Sequence, residues 1–447
     1  MKSLTRRRML QGLAVAAGTG ALAACVPSTP QVVKETVMVE KEVTVAAPAG
    51  KVPVRWGVWS SGKWLELENK IATAYNEKQD TVVLAVESSP WQQYWDKMQV
   101  QLAAGTAPDL IWMSGAMFLN LVEKGGLLDL TDLIASTKFD ISKYYTQPEI
   151  FEWQGKYYGM PWSMGVQVLY VNKTAFEEAG VALPPEKWDD PSWTWVEFLD
   201  TAKALTKGTE FFGVQSSNGF EFYWGNFVWS NGGDVITPDE KHTALDTPEA
   251  TEALKFAVDL IHFHKVSPSP NDPNVFQAGA PRPFAMGKVA MDLGNNAYIP
   301  DYVAQIKEFD WGLYPLPKAP KDGAKPAPSF NGNPICIASK SKYPSEAFDA
   351  LQFLSGEEGM QMVAEGKLTM PALIAAATSE PYTTPPPAGM LRLAEGKEYA
   401  QDLRFHKYWL EWVIKMGEEL DKAFIGELST EEAIKSAVAE CDKVLNQ

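Results

Sequence analysis

Three short stretches decide the fold: VPVRWGVW at residues 52–59, TVVLAVES at 81–88 and DLIWM at 109–113. Each is apolar and rich in β-branched or aromatic residues, as a buried strand requires. Between them, residues 66–79 place Leu67, Ile71, Ala74 and Tyr75 at helical spacing, and 92–104 read as a second helix ending at Gly105. A third helix, 118–124, closes at Gly125 and Gly126. Strands alternating with helices imply a parallel sheet flanked by helices. In such sheets ligands bind outside the carboxyl ends of the strands.

The same texture continues outward. A strand-like run, VQVLYVNK, begins at Val166, and a helix over 195–207 follows Thr194, a candidate N-cap. Further helices are expected at 248–264, at 343–354 behind Ser341 or Ser345, and at 429–446, with a strand at 288–293. Ser429 and Glu432 have the spacing of a capping box. Proline clusters at 315–334 and 381–387 mark irregular crossings, and no 20–50-residue period suggests a solenoid. Two α/β lobes joined by several crossings fit this pattern.

The chain has 447 residues, 45% hydrophobic and 21% charged, which fits a globular protein of two or three domains. Forty Lys and Arg against 56 Asp and Glu give a net charge of −16, the wrong sign for a nucleic-acid surface. Three Cys and four His leave little for a metal site, and neither a metal nor a cofactor is expected. No P-loop, Gly-x-Ser-x-Gly elbow or zincin helix is present, and His262 and His264 do not share a helix face.

Residues 1–24 read as an export signal: Arg6-Arg7-Arg8 precede a short apolar run broken by glycines. The triplet resembles the twin-arginine pattern, with an ordinary Sec signal as the alternative. Leu22-Ala23-Ala24-Cys25 resembles a bacterial lipobox, so Cys25 is the expected lipidation site; the alternative is a plain cleavage site with a bystander Cys. A lipidated chain would sit on the membrane without crossing it. Residues 25–52 then form a tether.

Several segments carry a family likeness. LAAGTAPDLIWMSG from Leu102, GKYYGMPWSMGVQVLYVNKTAFEEAG from Gly155 and PSWTWVEFLDTAKALT from Pro191 resemble segments of the family-1 extracellular solute-binding proteins of bacterial ABC importers. WSNGGDVI from Trp229, MGKVAMDLGN from Met286, WGLYPLP from Trp311 and SKSKYPSEAFDALQFLSGEEG from Ser339 continue the likeness in the family's order. This carbohydrate-binding group includes the maltose-binding proteins. The resemblance implies an α/β, two-lobed, periplasmic-binding-protein-like (type II) clamp. Its lobes would be 53–163 with 332–370, and 168–328 with 372–447. It also implies a monomer, without turnover, that closes on a sugar and docks on membrane permease subunits from the outer side of the cytoplasmic membrane.

A sugar presents hydroxyls at its edge and C–H groups on its faces, so its site needs flat aromatics beside amides and hydroxyls. Trp59 and Ser60 follow the first strand, Trp91 and Tyr94 the second, and Ser114 the third. Trp162 and Ser163 lie at the first crossing, Asn331 and Asn333 at the second, and Trp224, Asn231 and Asp234 in an aromatic patch of the second lobe. Asn295, Asn296 and Tyr298 follow a later strand. By the resemblance, Gly165 stands where some relatives carry an acidic ligand contact, and Asn295 and Asn296 replace a stacking Trp. Arg392, Arg404, Trp409 and Trp412 are weaker candidates, the last two as helix core. These loops favour a neutral sugar or oligosaccharide. The alternatives are a polyamine, peptide or phosphorylated polyol in the same clamp, a sensory binder, or a glycan-active enzyme, whose facing carboxyls sequence spacing does not reveal. Cys336 and Cys441 either pair or stay buried as thiols.

Overall fold

The computed structural model describes residues 50–147, 150–277 and 279–447. The expected export signal, Cys25 and the tether through residue 49 lie outside the described residues. The strands are β1 (Val52–Val58), β2 (Val82–Ser88), β3 (Leu110–Trp112), β4 (Glu152–Trp153), β5 (Lys156–Tyr157), β6 (Gly159–Asn172), β7 (Phe212–Val214), β8 (Val289–Asn295), β9 (Trp311–Tyr314), β10 (Ser329–Ile337), β11 (Met370–Pro371) and β12 (Gln401–Asp402). β4 and β5 form a small hairpin; the rest share one sheet in the order β2-β1-β3-β10-β6-β8-β7, with β9 and β11 on β6 and β12 on β10.

The opening of the chain folds as its pattern dictates. β1 pairs in parallel with β2 and β3, and the helices Gly62–Lys78 and Trp91–Ala104 supply the crossovers. Parallel pairing then gives way to antiparallel neighbours, returning only where β7 meets β8 and β12 meets β10. β10 runs antiparallel to both β3 and β6, because it returns from the other half of the molecule rather than through a local helix. β6 is the common element: residues 159–166 pair with β10, whereas residues 167–172 pair with β8 and β9. All of its residues are buried, which explains its nearly unbroken apolar run.

Local signals hold at the helix ends. Thr194 and Ser429 each close a capping box, with Glu197 and Glu432. The helix Pro344–Ser355 departs from expectation, since neither Ser341 nor Ser345 caps it. Ser341 Oγ instead donates to Asp109 Oδ1 (2.6 Å), and Asp109 Oδ2 accepts from the Arg55 amide (2.9 Å). Asp109 therefore ties β1 to the turn after β10. Cys336 and Cys441 are buried free thiols. Trp409 and Trp412 are buried on the helix Trp409–Phe424, as core residues. Among the described residues no helix is long and apolar enough to cross a membrane, and no His/Cys/Asp/Glu group could hold a metal.

Candidate functional site

Side chains alternate across a strand, so Ser163, Gly165 and Gln167 share one face of β6. The register places Asn333 opposite Ser163, Asn331 opposite Gly165 and Asn295 opposite Gln167. β6, β10 and β8 thus raise a ladder of amides and one hydroxyl, interrupted by the side-chain-less Gly165. A Cβ at Gly165 would stand 2.6 Å from Asn331 Oδ1, 3.2 Å from Asn295 Nδ2 and 3.5 Å from Asn296 Oδ1. Three amides therefore converge on Gly165 so closely that no larger side chain fits there without displacing Asn331.

Several ladder atoms are held in place while others are left over. Asn295 Oδ1 accepts from the Ala297 amide (2.9 Å), which fixes the turn after β8. Asn296 Nδ2 donates to the Met164 carbonyl (3.1 Å) and to Thr369 Oγ1 (3.2 Å). Asn331 Nδ2 donates to Glu221 Oε2 (3.2 Å). Yet Ser163 Oγ, Gln167 Oε1 and Asn296 Oδ1 are buried with no partner among the described residues. Buried polar atoms normally have partners, and leaving one unmet costs about 1–3 kcal/mol. Hydroxyl groups carry donors of the kind these three oxygens lack. Burial pushes the Glu221 carboxyl up to about 7, against hydrogen bonds from Asn331 and Trp409 that favour its charged form. A cavity of about 460 Å³ opens beside Glu221, between Phe222 and the helix bearing Met416 and Asp421.

An aromatic cluster stands at the carboxyl ends of β1–β3. Trp59 stacks on Trp112 (centroids 4.0 Å, planes 9° apart), and Trp64 lies 5.5 Å from the same ring. Trp91 meets Trp59 edge-on at 5.1 Å and is 46% exposed, the only tryptophan among the large exposed apolar side chains of the described residues. Trp162 packs T-shaped against Trp56 (5.7 Å) and Trp112 (4.9 Å). Ser60 Oγ donates to Glu68 Oε1 (2.5 Å), and burial pushes the Glu68 carboxyl up to about 8.

The predicted residues divide by where the fold places them. Ser163, Asn295, Asn296, Asn331 and Asn333 come together in the ladder. Tyr298 ends the turn that follows Asn295 and stacks on Phe222 at 5.7 Å. Ser114 stands beside the second crossing, because a Cβ on its neighbour Gly115 would meet the Gly332 carbonyl at 3.2 Å. Trp59 and Trp91 keep accessible surface. Trp162 and Trp224 are fully enclosed, so neither offers a ring face. Trp224 instead donates its indole N–H to Asn218 Oδ1 (3.2 Å). Tyr94 OH lies 3.0 Å from the Trp112 carbonyl and 3.1 Å from that of Gly57, tying helix to sheet. Asn231 and Asp234 serve a turn. Asn231 Nδ2 donates to the Glu249 carbonyl (2.9 Å), and Asp234 accepts from Trp229 Nε1 (3.3 Å) and pairs with Arg404 (3.4 Å). Gln167, Thr369, Glu221 and Glu68 were not predicted. Gln167 had a signal, the two-residue period from Ser163, and Glu68 had another, a carboxylate on the buried stripe of Leu67, Ile71 and Tyr75.

Comparison with known proteins follows the same lines. Residues 70–388 match the model of the bacterial extracellular solute-binding protein family. A binding protein of Brucella abortus (strain 2308) is 24% identical over 416 residues, covering 90% of this chain and 95% of its own. The maltodextrin-binding protein MdxE of Bacillus subtilis is 27% identical over 317 residues, 70% of this chain and 71% of its own. Among solved structures, the ABC substrate-binding protein Lmo0181 from Listeria monocytogenes, in complex with cycloalternan, superposes with a TM-score of 0.78 at 25% identity, covering 89% of this chain and 99% of that one. A mixed α/β architecture whose two halves share crossing strands, a family match over most of the chain and these relatives agree: the chain belongs to the bacterial extracellular solute-binding proteins.

Proposed function

We propose that the protein captures a sugar or oligosaccharide between its two lobes and delivers it to the permease of an ABC importer. The polar ladder centred on Gly165 is the observation that carries this reading. Its unmet oxygens accept hydrogen bonds, as sugar hydroxyls supply them, and no charged side chain stands in the ladder itself. The curated maltodextrin binder and the cycloalternan complex support the ligand class.

The lobes are 53–163 with 332–370, and 168–328 with 372–447; the change of partners along β6 at 166–167 supports this division. Ligand contacts are Ser163, Asn295, Asn296, Asn331 and Asn333 at the sugar's edge, with Trp59, Trp91, Ser114 and Tyr298 around it. A ligand touching both lobes favours the closed state, and that differential affinity drives closure. The protein is a monomeric binder without turnover, anchored through Cys25 on the outer side of the cytoplasmic membrane.

A thermal-shift screen over mono- and oligosaccharides tests the reading. Ligand at a few hundred times its dissociation constant adds about 3 kcal/mol to stability. A sugar that raises the melting temperature and is recovered unchanged supports a binder. Shifts with amines or peptides alone, or released products, contradict it.

A further inference from the structure

Four arginines lie within the described residues. Arg55 pairs with Glu87 at 2.6 Å, Arg392 with Glu186 at 2.8 Å and Arg404 with Asp234 at 3.4 Å. Arg282 has no carboxylate partner within 4.0 Å among the described residues. Its guanidinium lies over the Tyr298 ring, 3.5 Å from the centroid. Asp292 is near enough to influence it, but both Asp292 oxygens are engaged: Oδ2 accepts from Tyr302 OH (2.6 Å) and Oδ1 from Tyr223 OH (3.1 Å).

Arg282 lines a cavity of about 320 Å³ with Gln215, Val275, Phe276, Pro281 and Pro283. Gln215 is 5% exposed, and its Nε2 donates to Tyr223 OH (3.0 Å) while its Oε1 is buried without a partner. The pocket therefore offers a cationic fork, one acceptor and an apolar wall. It sits one short turn from the ladder, since Tyr298, which Arg282 overlies, closes the turn Asn296–Tyr298. A planar guanidinium is suited to bidentate recognition of a carboxylate.

We propose that this pocket is a subsite for a hydroxy-carboxylate, a uronate unit of the bound carbohydrate. Arg282 takes the carboxylate, Gln215 Oε1 accepts from a neighbouring hydroxyl, and Phe276 and the prolines meet the C–H face. The inference rests on the carbohydrate reading. It extends the expectation of an uncharged ligand, which continues to describe the ladder.

Isothermal titration of the mature protein with galacturonate and glucuronate oligomers, their methyl esters and the matching neutral oligomers tests it. The acids are expected to bind at least tenfold more tightly than their esters. Arg282→Gln is expected to abolish that preference and Arg282→Lys to restore part of it, with the unliganded melting temperature confirming that each variant folds. Neutral oligomers binding as tightly as the acids, or an acid preference that survives Arg282→Gln, would overturn the subsite and leave the carbohydrate reading standing. Failure of every carbohydrate, acidic or neutral, would overturn both.

Discussion

Asn331 stands directly across from Gly165, and its Oδ1 lies 2.6 Å from where a side chain at 165 would begin. The two residues sit on strands that run in opposite directions between the halves of the molecule. Their pairing packs the Asn331 amide against the bare backbone of Gly165, in a spot ringed by amides.

Filling that position should cost binding before it costs folding. In Gly165→Ala the new methyl must displace the Asn331 amide or shift β6, an overpacking change of about 1–3 kcal/mol. The expected result is a melting temperature lowered by several degrees and an affinity reduced more than tenfold. Differential scanning calorimetry and titration with the best ligand read the two effects separately.

The ladder atoms predict a graded series. Asn331→Ala and Ser163→Ala each remove one hydrogen bond, worth about 0.5–1.5 kcal/mol, or about three- to tenfold in affinity. Asn296→Ala should cost more, because it frees two buried acceptors, the Met164 carbonyl and Thr369 Oγ1, where Asn331→Ala frees only Glu221 Oε2 and Ser163→Ala none. Titration of the three variants against one sugar checks this order.

Aromatic residues should split between binding and folding. Trp59 keeps accessible surface and stacks on Trp112 at 4.0 Å, so Trp59→Ala should weaken binding while the chain still folds. Trp224 is 0% exposed, so Trp224→Ala should cost about 3–5 kcal/mol of stability. Chemical denaturation alongside ligand titration distinguishes the two outcomes.

Glu68 predicts a pH dependence. Burial pushes its carboxyl up to about 8, from 4.5 in the ordinary case, so the folded chain keeps a proton that the unfolded chain has released. The resulting stability is full below about pH 4.5 and declines as pH rises toward 8, by a contribution on the order of a few kcal/mol. Glu221 and Asp292, raised to about 7 and about 6 by burial, act in the same direction. In Glu68→Gln the fall in melting temperature between pH 5 and pH 8 should therefore be smaller than in the parent. An equal or larger fall would refute the assignment.

Much of this was legible in the sequence, and the rest was hidden for identifiable reasons. The alternation of β1–β3 with helices showed in their periodicity, and Thr194 and Ser429 announced their capping boxes. Ser163, Asn331 and Asn333 were singled out by the crossings that the resemblance implies, and Asn295 and Asn296 by the end of a strand; the structure brings these five side chains together. That Asn331 faces Gly165 was invisible, since register depends on which distant strands pair. Trp162 and Trp224 misled because a tryptophan beside Ser or Gly looks the same whether its ring faces a cleft or a core. Glu221 gave no signal because the Asn331 amide it accepts from lies 110 residues away in sequence.

The most direct measurement is a crystal structure with the tightest-binding carbohydrate from the screen. Sugar oxygens should lie within hydrogen-bonding distance of Ser163, Asn296 and Asn331, beside Gly165. A ligand bound elsewhere, with those three side chains untouched, would contradict the account.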